Sequence, residues 1–168
     1  MRYVMFDDWW YPGHPVQVAC TQDLVPQASL FPDGFGPVRQ EYQHLMLYMM
    51  VFCPDNAFQR RDPSLKWLTS NQVTETNTTF VTPAPASAQA AFTALLQKGV
   101  SQGMSTFEID FMGTNFMAVP YFRQQVDAYQ AWLDGMDAAA MATGVPIQWC
   151  TAQPADLMAA RLKKKKTE

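Results

Sequence analysis

The feature that most constrains this chain is a series of short apolar runs, each stopping on polar or aromatic residues and several followed by a helix-periodic stretch. Runs at residues 3–8, 45–53 and 145–151 are too short for helices and rich in β-favouring side chains, which marks them as buried strands. The segment Ser105-Thr-Phe-Glu-Ile-Asp-Phe111 alternates apolar with acidic residues and predicts a further strand. A β-branched stretch over 67–81 predicts extended structure. Helices are expected over 37–44, from a cap at Ser87 to about residue 100, over 120–143 and over 154–162. The third of these carries Phe122, Val126, Tyr129, Leu133, Met136 and Ala140 as its apolar stripe and Gly144 as its stop. Gly99 and Gly103 are candidate stops for the second. The resulting order is β, loop, α, β, β, α, β, α, β, α, an α/β pattern of parallel strands joined by crossover helices. An open doubly wound sheet and a barrel both satisfy it.

Between the first strand and the first helix, residues 12–37 are rich in Pro, Gly and Gln, with Phe31-Pro-Asp-Gly34 as a turn signal. Long loops after strands are frequently functional. Residues 1–162 read as one unit and the lysine-rich residues 163–168 as a charged, solvated tail.

Composition excludes several classes. With 168 residues, 48% of them hydrophobic, the chain can bury one sizeable core. A formal charge of −3 with mixed signs gives no basic face for a phosphate backbone, so nucleic acid is not an expected partner. No apolar run approaches the ~20 residues of a membrane span, and the start lacks the pattern of a signal peptide, so a soluble chain with no membrane partner is expected, its compartment undetermined. Cys20, Cys53 and Cys150 lie far apart without C-x-x-C spacing. Neither a zinc site nor a disulfide framework can be read from them, and they read as small buried apolar residues.

The chemistry-bearing residues gather at predicted strand ends: Asp7, Asp8, Trp9 and Trp10 after the first, Glu108 and Asp110 in the alternating strand, and Trp149, Cys150 and Gln153 around the last. In an α/β barrel such ends converge on one face. Carboxylates accept hydrogen bonds from hydroxyls and indoles cover apolar ring faces, a combination suited to a neutral, hydroxyl-rich ligand. Glu108 shares its side of the pleat with Asp110, so one of the two can be structural. A metal site would recruit Asp7, Asp8, His14 and Asp110, but neither histidine shows ligand spacing, so no metal or other cofactor is expected. A phosphatase of the aspartate-nucleophile type would need small residues where Trp9 and Trp10 stand, and no Gly-rich phosphate loop or G-x-S-x-G elbow is present.

The opening Tyr-Val-Met-Phe-Asp-Asp-Trp-Trp-Tyr-Pro, the later Phe-Pro-Asp-Gly, the segment containing Phe-Glu-Ile-Asp-Phe and the strand Ile-Gln-Trp-Cys-Thr-Ala-Gln-Pro resemble, in that order, a divergent branch of α-galactosidase-like glycoside hydrolases. The resemblance implies that Asp7, Asp8 and Trp9 bind sugar hydroxyls, with Trp10, Glu108, Trp149 and Cys150 lining the same substrate site. It further implies that Asp110 is the nucleophile of a retaining hydrolase acting on α-linked sugars such as α-galactosides. The family's second acid lies on its sixth strand, in an Arg-Ser-Asp-Asp-like motif with no counterpart here. An eight-stranded barrel takes about 250 residues, so a partial (β/α)8 barrel of about five parallel strands is expected, truncated before the acid/base strand. Its open edges predict self-association or dependence on further sequence. The alternatives are a non-catalytic carbohydrate-binding remnant and a gene fragment that does not fold alone.

Overall fold

The computed structural model describes residues 2–13, 20–71 and 79–152. Its organising element is a four-stranded sheet of β1 (Tyr3–Phe6), β3 (His44–Met49), β7 (Thr106–Ile109) and β8 (Ile147–Trp149). These strands lie side by side in chain order, every neighbouring pair parallel. A doubly wound sheet reverses its order at a switch point; this one does not reverse. The expectation of parallel strands with crossovers therefore holds for this sheet, with four strands rather than five.

A second sheet was not anticipated. The apolar run at 45–53 is two strands, β3 and β4 (Val51–Phe52), and the chain changes sheets at Met50. β4 lies parallel to β2 (Cys20–Thr21) and antiparallel to β6 (Val81–Pro83), which is itself antiparallel to β5 (Trp67–Thr69). The extended stretch predicted over 67–81 is thus a pair of antiparallel strands, with residues 72–78 outside the described region. Cys20 and Cys53 form a disulfide between the β2 strand and the residue after β4. This corrects the reading of both as free buried thiols. Cys150 alone is free.

Helices cover one face of the parallel sheet. α1 (Gly36–Glu41) follows the predicted Phe-Pro-Asp-Gly turn, in which Gly34 adopts φ 62° and donates to Phe31 O at 3.0 Å. α2 (Ala57–Arg61) is capped by Asn56, whose side chain accepts from Gln59 N. α3 (Pro85–Ser101) starts on Pro85, whose fixed φ suits the first helical turn. Ser87 is not its cap: it lies inside the first turn and its hydroxyl accepts from Lys66 N at 2.8 Å. Gly99 lies within the helix and Gly103, at φ 95°, turns the chain just beyond it.

The expected helix over 120–143 is interrupted. α4 (Met112–Ala118) and α5 (Pro120–Gln124) precede α6 (Ala128–Thr143), and Asp127 between the last two takes φ 64°. Val126, placed in the apolar stripe by its spacing, is 92% exposed because it sits in that break. The rest of the stripe packs inward. Trp132 is buried among the rings of Phe92, Phe122 and Tyr129. At Gly135 the two long helices approach so closely that a Cβ would lie 2.7 Å from Ala88 Cβ and 2.8 Å from Gln89 N. Gly144, at φ 69°, ends α6 as expected.

The pleat divides the parallel sheet into unlike faces. Leu45, Leu47, Met49, Phe107 and Ile109 are buried on one side with the helices. The register carries Tyr48, Glu108 and Gln148 across the other, continuing from Tyr3 and Met5 of β1, both exposed. The acidic residues stand at the C-terminal end of this second face. The expected helix at 154–162, the tail at 163–168 and His14 lie outside the described residues.

Candidate functional site

Two strands deliver acids to one rim by the same local device. After β1, Asp7 Oδ1 accepts from Asp8 N at 2.8 Å and Asp8 Oδ1 from Trp9 N at 2.9 Å. After β7, Asp110 Oδ1 accepts from Phe111 N at 2.6 Å. The chain then leaves each strand through a left-handed residue: Trp9 at φ 71°, Phe111 at φ 56° and, after β8, Thr151 at φ 46°. These are three of the four non-glycine residues with positive φ among the described residues. Such conformations cost of order 1–3 kcal/mol each and persist where the surroundings over-determine them, commonly at functional sites.

The rim is cross-linked through tyrosines. The Tyr48 hydroxyl, from β3, donates to Asp110 Oδ2 at 3.3 Å, and the Tyr11 hydroxyl donates to Asp8 Oδ1 at 2.9 Å. The Thr151 hydroxyl donates to Asp110 Oδ1. The backbone of Tyr48 in turn accepts from Trp10 Nε1 at 3.0 Å, tying the loop after β1 to β3. Asp7, Asp8 and Asp110 therefore occupy one edge of one sheet, the arrangement the strand-end reading required.

Electrostatics follow from this crowding. Burial raises the Asp8 pKa; the hydrogen bonds from Tyr11 and the Trp9 backbone oppose the rise, and the charges of Asp7 and Asp110 add to it. Burial likewise lifts the Tyr48 hydroxyl well above its ordinary range, reinforced by the Asp110 and Asp8 charges. Glu108 is 4% exposed, and burial raises its pKa despite hydrogen bonds from Cys150 and Gln148, with Asp7 and Asp110 pushing it further. Cys150 is raised by desolvation and by its contacts with Asp110 and Glu108. The thiol thus sits between the two acids of β7.

The sequence-derived residues divide in two. Asp7, Asp8, Glu108, Asp110 and Cys150 come together, and Trp9, 58% exposed, stands beside them. Trp10 does not present its ring to solvent: it is 2% exposed and packs against Tyr11 and Phe35. Trp149 pairs with Ile109 and so lies on the helix-facing side of the sheet, against the core. Tyr48, Tyr11 and Thr151 were missed. The two tyrosines sit in apolar surroundings where an aromatic ring reads as core; the signal for Tyr48 was its even spacing from His44 and Met46 on the face that ends in acids. Among the described residues no group of three or more His, Cys, Asp or Glu side chains is arranged to hold a metal ion, and no helix is long and apolar enough to cross a membrane.

No family model matches the chain, and a search of curated protein sequences finds no relative. Solved structures do resemble it. A GH27 β-L-arabinopyranosidase from Geobacillus stearothermophilus matches with a TM-score of 0.61 at 20% identity over 96% of this chain. An alanine-substituted form of that enzyme in complex with arabinose matches equally, with a TM-score of 0.61 at 20% identity over 96% of the chain. The chain spans 42% of their length. At this identity the likeness establishes a shared α/β fold, and it agrees with the α-galactosidase-like resemblance read from the strand-end motifs.

Proposed function

We propose that the acidic rim is the sugar subsite of a glycoside hydrolase-like domain, and that the parallel sheet is one wall of a partial (β/α)8 barrel. The observation that carries this reading is the convergence of Asp7 and Asp8 from one strand with Asp110 from another, Asp8 accepting from the Tyr11 hydroxyl at 2.9 Å and Asp110 from the Tyr48 hydroxyl at 3.3 Å. Strand order, parallel register and the GH27 neighbours support it.

In this reading Asp7 and Asp8 accept hydrogen bonds from ring hydroxyls and the exposed Trp9 indole covers an apolar sugar face. Asp110 is the nucleophile. Its carboxylate oxygen forms a bond to the anomeric carbon as the bond to the leaving oxygen breaks, inverting that centre; water then attacks the glycosyl ester and inverts it again. Tyr48 and Thr151 donate to the Asp110 oxygens and fix the direction of the lone pairs. The leaving oxygen takes its proton from a second acid, which the family resemblance places on a later strand. Ligands of α-galactose configuration are the first choice, with β-L-arabinopyranosides, which share that ring configuration without the hydroxymethyl group, beside them.

The test separates nucleophile from acid. An aryl glycoside whose phenol is acidic enough to leave unprotonated is incubated with the chain, and intact mass is measured. A glycosyl adduct on wild type that is absent in Asp110→Asn is expected. No adduct together with no binding of galactose or arabinose overturns the proposal. A second reading, a carbohydrate-binding unit without turnover, rests on the exposed Trp9 indole beside the acids. Sugar binding lost in Asp8→Ala or Trp9→Ala, with no adduct, selects it.

A further inference from the structure

The floor of the acidic rim contains an unused acceptor. Glu108 is 4% exposed, and its Oε2 has no hydrogen-bond partner among the described residues. Buried polar oxygens are nearly always satisfied, and an exception marks strain, a catalytic role or an absent ligand. Around the Glu108 side chain stand Asp7 from the end of β1, Tyr48 on β3 and Asp110 at the end of β7, while Cys150 and Gln148 on the β8 side donate to its carboxylate. Tyrosine and thiol both remain neutral here, since burial and the adjacent acids raise each of them. The charges acting most strongly on Asp8, Tyr48 and Glu108 are all carboxylates. The site thus concentrates negative charge, with no cation among the charges that act on it most strongly from the described residues, and one of its oxygens is shielded from water.

Resting on the reading of this rim as a sugar subsite, we infer that it is built for a sugar bearing a protonated amino group, with Glu108 Oε2 accepting from that ammonium. A neutral hydroxyl satisfies one acceptor. An ammonium supplies three donors and a positive charge, and so meets Glu108 together with a neighbouring carboxylate while relieving their mutual repulsion. Charge-assisted hydrogen bonds of this kind are roughly twice as strong as neutral ones. Asp110 keeps its assigned role, so Glu108 is a specificity residue and not part of the covalent step.

Calorimetric titration of the 168-residue chain with galactose, galactosamine and N-acetylgalactosamine at mildly acid pH tests this directly. Galactosamine is expected to bind at least about tenfold more tightly than galactose, a difference of about 1.4 kcal/mol, and the neutral N-acetyl sugar is expected to show no such gain. High salt reduces the gain. In Glu108→Gln, which keeps the side-chain shape, the ratio of galactosamine to galactose affinity is expected to fall by most of that factor. Equal affinities for galactose and galactosamine in wild type overturn the inference and leave the sugar-site reading standing, without need of the variant. A preference unchanged in Glu108→Gln also overturns it. Binding of none of the three sugars removes both the inference and the reading beneath it.

Discussion

Removing the Cys20–Cys53 bridge is the perturbation whose size follows most directly from the structure. The two residues are 33 apart in sequence. Closing a loop of that length in the unfolded chain removes entropy of about 12 cal/mol/K, or roughly 4 kcal/mol at 25 °C in the chain-entropy account. For a chain of this size that corresponds to about 8–15 °C in melting temperature. The double variant Cys20→Ala/Cys53→Ala is therefore expected to melt that much lower than the oxidised wild type, and reductant applied to the unfolded wild type is expected to bring it close to the variant. Cys20 is 5% exposed and Cys53 0%, so the folded protein resists the same reductant for as long as it stays folded. Thiol titration supplies the control: unfolded, unreduced protein should report Cys150 alone, the one free thiol of the described residues. Three titratable thiols in that sample, or an oxidised wild type that melts with the variant, would refute the reasoning. A protein made where disulfides cannot form should behave as the variant does.

The interhelical contact and the buried acid give two further expectations. Gly135→Ala gains about 1 kcal/mol of helix propensity but forces a methyl group to 2.7 Å from Ala88 Cβ and 2.8 Å from a backbone nitrogen that cannot yield; overpacking of this kind costs roughly 1–3 kcal/mol, so thermal melts should show a lower midpoint. For Glu108, the folded pKa is raised above the unfolded one, so its stability contribution is full below the ordinary carboxyl range and is lost as pH rises through the folded value. Glu108→Gln, which cannot ionise, should consequently flatten the fall in melting temperature from acid to neutral pH; a steeper fall in the variant would reverse the assignment.

The parallel wall was legible because its strands are short, apolar and bounded by acids or Pro-Asp-Asn, and β7 stood out through Phe107 and Ile109 alternating with Glu108 and Asp110. The stops at Gly34 and Gly144 were legible for the same local reason, since a left-handed turn suits glycine. What escaped depends on which distant segments meet. Nothing near Cys20 or Cys53 specifies the other. Residues 45–53 read as one strand because both sheets bury their side chains there, so hydrophobicity does not drop where the chain bends at Met50. Val126 keeps helical spacing across a break made by the left-handed Asp127. At the site, acidic residues at strand ends were visible and their phenolic partners were not. A tyrosine inside an apolar run declares its ring, while its hydroxyl acquires meaning only from a neighbouring strand. Trp10 and Trp149 erred in the opposite sense: an indole beside acids in sequence can turn inward once the pleat is known.

The ordering of the parallel sheet has a further consequence. β8 forms its last strand and pairs on one side only among the described residues. A segment annealing there in the same direction would, by the geometry of the pleat, deliver its terminal side chains beside Cys150 and Asp110 and not at the far end. The wall can lengthen one unit at a time, and every addition contributes new groups to the same mouth while the existing ones keep their places.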